Sequence, residues 1–290
     1  VRHSISRFVG LVVLTWFAAG APASSQAINI PPNPQIEVDY VRPKLSADPA
    51  QFAAFEAMYA WLTVRRPLDE LRIFLAPLKL PARIKIQVDS CGAERRPYLP
   101  GNPVTICYEL IQKIEKLAAS IANPGLKQKV IVGTFVQTVL HETAYAVFDV
   151  LKVPVWGRAD DAADRLSAYV LLQFSGDIAA LAMVGSAEFF LASSRTWTGS
   201  DFADTVSPEG QRFYNFLCIA YGGDSLDFRG WTMAPQGQDP LLPRARAEQC
   251  KHEYAQVRHA FDLRIMPHID PDMMLQVKAA QWLLPQEVGK

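Results

Sequence analysis

The sequence has no excess of charge of either sign: 29 Lys and Arg balance 29 Asp and Glu over 290 residues. It has no basic run either. Both absences argue against a nucleic-acid-binding protein, which carries a positive footprint. It contains no C-x-x-C, which excludes a zinc ribbon. No cysteine follows the apolar run near the N-terminus, so a lipid-modified N-terminus is not expected. No internal repeat or low-complexity tract is visible. What remains is an ordinary globular composition, half apolar and one-fifth charged, long enough for a sizeable core in one or two domains.

The first 27 residues read as a secretory signal. "VRHSISR" carries two arginines and no acid, "FVGLVVLTWFAAG" is mostly apolar, and "APASSQA" offers small residues with Ala23 and Ala27 as cleavage points. The apolar run is shorter than the roughly 20 residues of a membrane span, so an anchor is the weaker reading. Removing residues 1–27 deletes Arg2 and Arg7 and leaves a net charge of −2. The expected location is periplasmic or secreted, with no stable membrane span after cleavage. Residues 28–290 form the expected single domain.

Four cysteines, Cys91, Cys107, Cys218 and Cys250, suit an exported chain with two disulfides, and three pairings are possible. Cys91 with Cys107 and Cys218 with Cys250 is preferred, because each pair joins neighbouring segments. The first would close a loop of about 15 residues, worth roughly 3 kcal/mol by chain entropy. Four buried free thiols are the rival reading.

Along the chain, "IEVDYVRP" alternates as a strand does, and "ARIKIQVDSC" does so more clearly. "VTICYE", after the loop "GAERRPYLPGN", reads as a returning strand that enters the helix "YELIQKIEKLAASIA". "PAQFAAFEAMYAWLTV" and "PLDELRIFLAPL" have helical spacing. A long helix is expected over about 127–151, ended by Pro154 and Gly157. "RADDAADRLSAYVLLQFSG" starts the next, with acids where a helix N-terminus favours them. "DIAALAMVGSAEFFLASS" is nearly all apolar, and Asp177 and Glu188 mark it as a buried core helix. "EGQRFYNFLCIAYGG" and "RAEQCKHEYAQVRHAFDLRI" complete a mainly helical chain.

Within the long helix, "HETAY" at 141–145 is one residue from H-E-x-x-H. In that motif two histidines four apart share a helix face and a zinc ion, and the glutamate removes a proton from metal-bound water. Here the second histidine is Tyr145. After the turn "KVPVWG", Asp160 and Asp164 lie four apart on the next helix. Asp160 could face a metal and Asp164 could hold an imidazole nitrogen behind it. Asp149, one turn after Tyr145, is a second oxygen candidate, though a solvated or hydrogen-bonded acid is the plainer reading. His252 and His259 read as surface residues.

The stretch "HETAYAVFDVLKVPVWGRADDAADRLSAY" resembles a family of exported bacterial metallopeptidase-like proteins catalogued as a domain of unknown function. Its members read H-E-x-G-H, then an aliphatic turn with L-P, then G-R-E-E-D-A-A-D-Q. "CGAERRPYLPGNPVTICYEL" resembles the family's C-G…C-Y-E-L hairpin. "QRFYNFLCIAYG" resembles its Q-R-x-Y-N helix, and "AEQCKHEY" its C-x-x-E-Y close. The likeness spans about 35–270. It implies an α+β, mainly helical, zincin-like fold with a small antiparallel sheet beside the active-site helix. It implies Glu142 as catalytic base, and His141 and Asp160 as ligands to zinc that is weakly held or absent. The departures are Tyr145 for the second ligand His, Asp160 for a Glu, and Val206 for a His of D-E-H-S. The scaffold motifs survive while these positions change, which points to a degenerate metal site. The alternative is a non-catalytic protein that binds a peptide or protein on the same scaffold.

Overall fold

Three parallel strands and ten α-helices make up the described part of the chain, residues 30–45, 48–174, 176–194, 205–224, 227–234 and 239–279 of a computed structural model. The expected signal segment lies outside the described residues.

The order begins with β1 (Ile36–Tyr40), α1 (Pro49–Arg65) and α2 (Pro67–Phe74). Asp48 caps α1 by accepting from the backbone N–H groups of Ala50 and Gln51. Pro67 then forces a new start, and Arg66 turns the corner in the left-handed region at φ 50°. β2 (Ile84–Asp89), β3 (Val104–Cys107) and α3 (Tyr108–Ala119) follow.

The sheet is parallel throughout, which corrects the expected antiparallel arrangement. Ile36 pairs with Ile84, and Val88 with Ile106. The "returning strand" reading took the loop after β2 for a hairpin connection. That loop is long enough to run back to the start of β2's neighbour, as a parallel pair requires. The disulfide Cys91–Cys107 carries the same information. It joins the C-terminal end of β2 to the C-terminal end of β3, with Cα atoms 5.4 Å apart. An antiparallel hairpin would bring Val104, not Cys107, to that end. Parallel sheets are covered on both faces, and β3 is buried at all four positions. Gln87 is buried too and reaches Thr105 at 3.4 Å.

The expected long helix is α4 (Pro124–Gln128), a π-turn over Lys129–Gly133, and α5 (Thr134–Val150). The π-turn lies where α7 (Gly176–Ser193) crosses closely. A Cβ on Gly185 would overlap the Lys129 carbonyl, and one on Gly133 would crowd the backbone of Ala182. Ser186 and Thr134 bond across the crossing to the Gly133 and Gly185 carbonyls. Between α5 and α7 lies α6 (Ala159–Leu171), reached through a turn in which Gly157 takes φ +89°.

α8 (Glu209–Gly223) packs on α6, α7 and α9 (Arg244–Arg264), and Cys218–Cys250 ties α8 to α9 with Cα atoms 4.8 Å apart. α10 (Pro271–Ala279) was not anticipated, although Asp270 followed by Pro271 is a start signal. Segments 124–150 and 176–193 are long and apolar enough to cross a membrane. Their most apolar windows are 78% and 61% buried inside the protein, as core helices are.

Candidate functional site

α5 and α6 lie side by side and bring their acidic and aromatic residues together. Spacing of four residues places His141 and Tyr145 on one face of α5, and Asp160 and Asp164 on one face of α6. His141 Nδ1 lies 2.8 Å from Asp164 Oδ1, and its Nε2 lies 3.4 Å from Asp160 Oδ1. Both are close charge contacts between a ring nitrogen and a carboxylate oxygen. Glu142 lines the same place, with Oε1 4.0 Å from His141 Nε2.

Two arginines complete the cluster. Arg212, from α8, grips Asp164 with Nε at 2.7 Å and Nη2 at 2.9 Å, and its Nε lies 3.5 Å from Asp160 Oδ2. Its guanidinium also stacks over Phe190, 4.7 Å from the ring centre. Arg95, from the loop after β2, donates through Nη2 to Asp160 Oδ1 at 2.7 Å. Tyr145 donates its hydroxyl to that same oxygen at 3.1 Å. Gln137, one turn before His141, donates to Asp164 Oδ1 at 3.2 Å.

The electrostatics follow from burial opposed by these partners. Burial works against a charge on His141, but Asp164 and Asp160 outweigh it and push its pKa up to about 9. Burial likewise works against ionising Asp164, but Arg212 and His141 outweigh it and hold its pKa down at about 2. Asp160 is held well below the usual carboxylate range by His141, Arg212 and Arg95 despite burial. Glu142 goes the other way, since burial raises its pKa more than His141 and Arg95 lower it. Burial and the Asp160 charge raise the Tyr145 phenol far above its usual range, so it stays a donor.

The other predicted residues lie apart from this cluster or at its edge. Asp149 is bound by the Tyr98 hydroxyl at 3.2 Å and by Lys152 at 3.1 Å. Val206 sits in the turn before α8, next to Ser207, which accepts from Arg158. His252 and His259 are exposed on α9, and His252 contacts Gln256 at 3.1 Å. The two cysteine pairs are joined as expected. Arg95, Arg212 and Gln137 were not anticipated as members of the cluster. Arg212 stands inside the quoted "QRFYNF" helix, which was the one available signal.

These residues do not fit a catalytic zinc with three protein ligands. The cluster offers one imidazole; of its three carboxylates, Asp160 and Glu142 lie on the Nε2 side at 3.4 and 4.0 Å, while Asp164 lies against Nδ1 and is gripped by Arg212. Tyr145 is a protonated donor, and Arg95 already holds the Asp160 oxygen nearest His141 Nε2. Among the described residues, three ligand-type atoms converge only at Cys91, Cys107 and Glu109. There both sulfurs are in a disulfide and Glu109 accepts from the backbone N–H groups of Cys91 and Gly92.

Residues 55–263 match a protein family described as "Putative metallopeptidase". The chain belongs to that family. No curated protein and no solved structure matches it.

Proposed function

We propose that this family member is exported and keeps the scaffold of a zincin-like metallopeptidase with its metal centre replaced by a buried ion-pair cluster. Its role is then to bind a peptide or protein rather than to cut one. One observation carries the reading. The Asp160 oxygen facing His141 already holds a fixed cation, Arg95 at 2.7 Å, and a phenol, Tyr145 at 3.1 Å. A guanidinium satisfies a buried carboxylate without offering a ligand exchange site. The mostly apolar N-terminal stretch and the two disulfides support a periplasmic or secreted location.

A second reading has its own support. The family is a metallopeptidase family by description, and the buried His141 Nε2 and Asp160 Oδ2 have no hydrogen-bond partner. In that reading His141 and Asp160 are ligands to zinc and Glu142 is the base.

Elemental analysis of the purified protein separates the two. The first reading expects less than one-tenth of a zinc per chain and no peptidase activity, and expects that Tyr145→His combined with Arg95→Ala gains zinc affinity. Stoichiometric zinc in the unaltered protein, with hydrolysis lost in Glu142→Ala, would establish the second.

A further inference from the structure

We propose that an open groove between the beginnings of α8 and α9 binds the C-terminal carboxylate of a peptide whose last side chain is aliphatic. The groove measures about 600 Å³. It is separate from the charged cluster, so the proposal stands whatever that cluster holds. Arg212 turns from α8 into the cluster, whereas Gln211, Tyr214 and Asn215 of the same helix line the groove. Arg246 lines it from α9, and Pro208 and Pro243, which precede the two helices, add apolar wall.

The decisive feature is the Asn215 side-chain amide. Asn215 is 9% exposed, and its Oδ1 accepts from Arg246 Nη2 at 3.3 Å. An arginine only donates, so this bond fixes which end of the amide faces Arg246. The Nδ2 group is left with two N–H donors and no partner among the described residues, and it is not sealed from solvent. Buried amide groups are ordinarily satisfied, and a free donor that solvent can reach on a groove wall is one that a ligand oxygen can reach as well. Two more donors stand beside it. Gly210 lies in the first turn of α8, which no side chain caps. Tyr214 is 40% exposed, and its hydroxyl makes no hydrogen bond among the described residues.

Charge and size define the ligand class. Donors call for an acceptor, and no acidic side chain lines the groove among the described residues. The uncapped N-terminus of α8 carries partial positive charge and favours an anion over a neutral carbonyl. Arg246 spends its own charge on Glu253, whose two oxygens it grips, so no full charge is spare for a dianion such as phosphate. A single carboxylate fits this balance. Pro208, Pro243 and the Tyr214 ring offer apolar contact to the carbon body behind it. Pockets for drug-sized ligands measure roughly 300–1,000 Å³, so the groove has room for the last residues of a peptide and not merely for a short-chain acid. Capture of a peptide's terminal carboxylate by N–H groups is a recurring recognition mode.

The test uses the disulfide-bonded protein and the tetrapeptide Gly-Ala-Ala-Leu, labelled with fluorescein at its N-terminus and titrated by fluorescence anisotropy. Saturable binding is expected, weakened about ten-fold or more when the peptide's C-terminus is amidated, because a hydrogen bond to a charged group is lost. Asn215→Asp keeps the acceptor for Arg246 but replaces the free donor with negative charge, and should weaken the free acid by a similar factor. Tyr214→Ala should weaken acid and amide alike by several-fold. Gln211→Trp should obstruct the groove and remove binding, which keeps the test decisive if Asn215→Asp fails to fold. Isovalerate, which carries the carboxylate and a branched aliphatic body alone, should compete only weakly. Absence of saturable binding, equal binding of acid and amide, or full affinity in Asn215→Asp or Gln211→Trp would each overturn the proposal. Competition by isovalerate as tight as by the unlabelled tetrapeptide would overturn the assignment to a peptide.

Discussion

The two sides of α5 treat buried polarity in opposite ways. On one side His141 and the α6 aspartates are surrounded by Arg95, Arg212, Tyr145 and Gln137, so that a dense set of charges is almost wholly compensated. On the other side the Thr143 hydroxyl is buried, beside an apolar cavity, with no hydrogen-bond partner. A buried charge is tolerable only when paired, because desolvating an ion costs several kcal/mol. A lone neutral hydroxyl costs only about 1–3 kcal/mol, so a fold can carry one unpaired. The comparison shows which polar groups this protein must compensate internally and which it can leave unpaired.

The harshest way to break the charged side is to remove Arg212. Arg212→Leu leaves Asp164 with only His141 and Gln137 and should cost about 3–5 kcal/mol of stability in urea unfolding with disulfides intact. A loss below about 1 kcal/mol would mean that solvent, not Arg212, compensates Asp164.

pH sharpens the comparison next, because only the charged side titrates. His141 has its pKa raised from 6.5 to about 9 in the folded protein. Its contribution is complete below the unfolded value and is lost as pH rises through about 9. At about 1.4 kcal/mol per unit, that is about 3 kcal/mol lost across this range. Asp164, depressed from 3.8 to about 2, has the opposite sign. Its contribution is present above the unfolded value and is lost as pH falls toward 2. Unfolding free energies measured from pH 6 to 10 should fall in the wild type and stay flatter in His141→Gln. Parallel curves would rule out His141 as the titrating group.

The smallest effect belongs to the apolar side. Thr143→Val replaces the unbonded hydroxyl with a methyl of similar shape and should raise stability by about 1 kcal/mol, visible as a higher melting temperature. A destabilisation of that size would show that the hydroxyl is bonded in solution.

Much of the helical order was legible in the sequence. The chain signals its helix boundaries with Pro67, Asn123–Gly125 and Pro154–Gly157, and amphipathic spacing does the rest. Spacing of four residues also made the pairs His141/Tyr145 and Asp160/Asp164 readable, since periodicity within a helix is a local property. Strand direction was not readable from alternation, because a parallel and an antiparallel partner show the same pattern of apolar residues. α10 was missed, although its cap residues were in plain view.

What the sequence indicated by itself is therefore most of the local elements, a preferred choice among three cysteine pairings, and the acids and imidazole of the cluster. Tertiary structure alone decided what compensates those charges. Arg95 reaches Asp160 across 65 positions of chain and Arg212 reaches Asp164 across 48. No helical or strand period spans such separations. Only the docking of α8 and of the loop after β2 onto α6 brings the long guanidinium side chains to the buried carboxylates. The apolar cavity beside α5 has a different origin, since it lies where α5, α6, α9, α10 and the segment after α2 meet, and cavities are set by how several helices pack and not by any one of them.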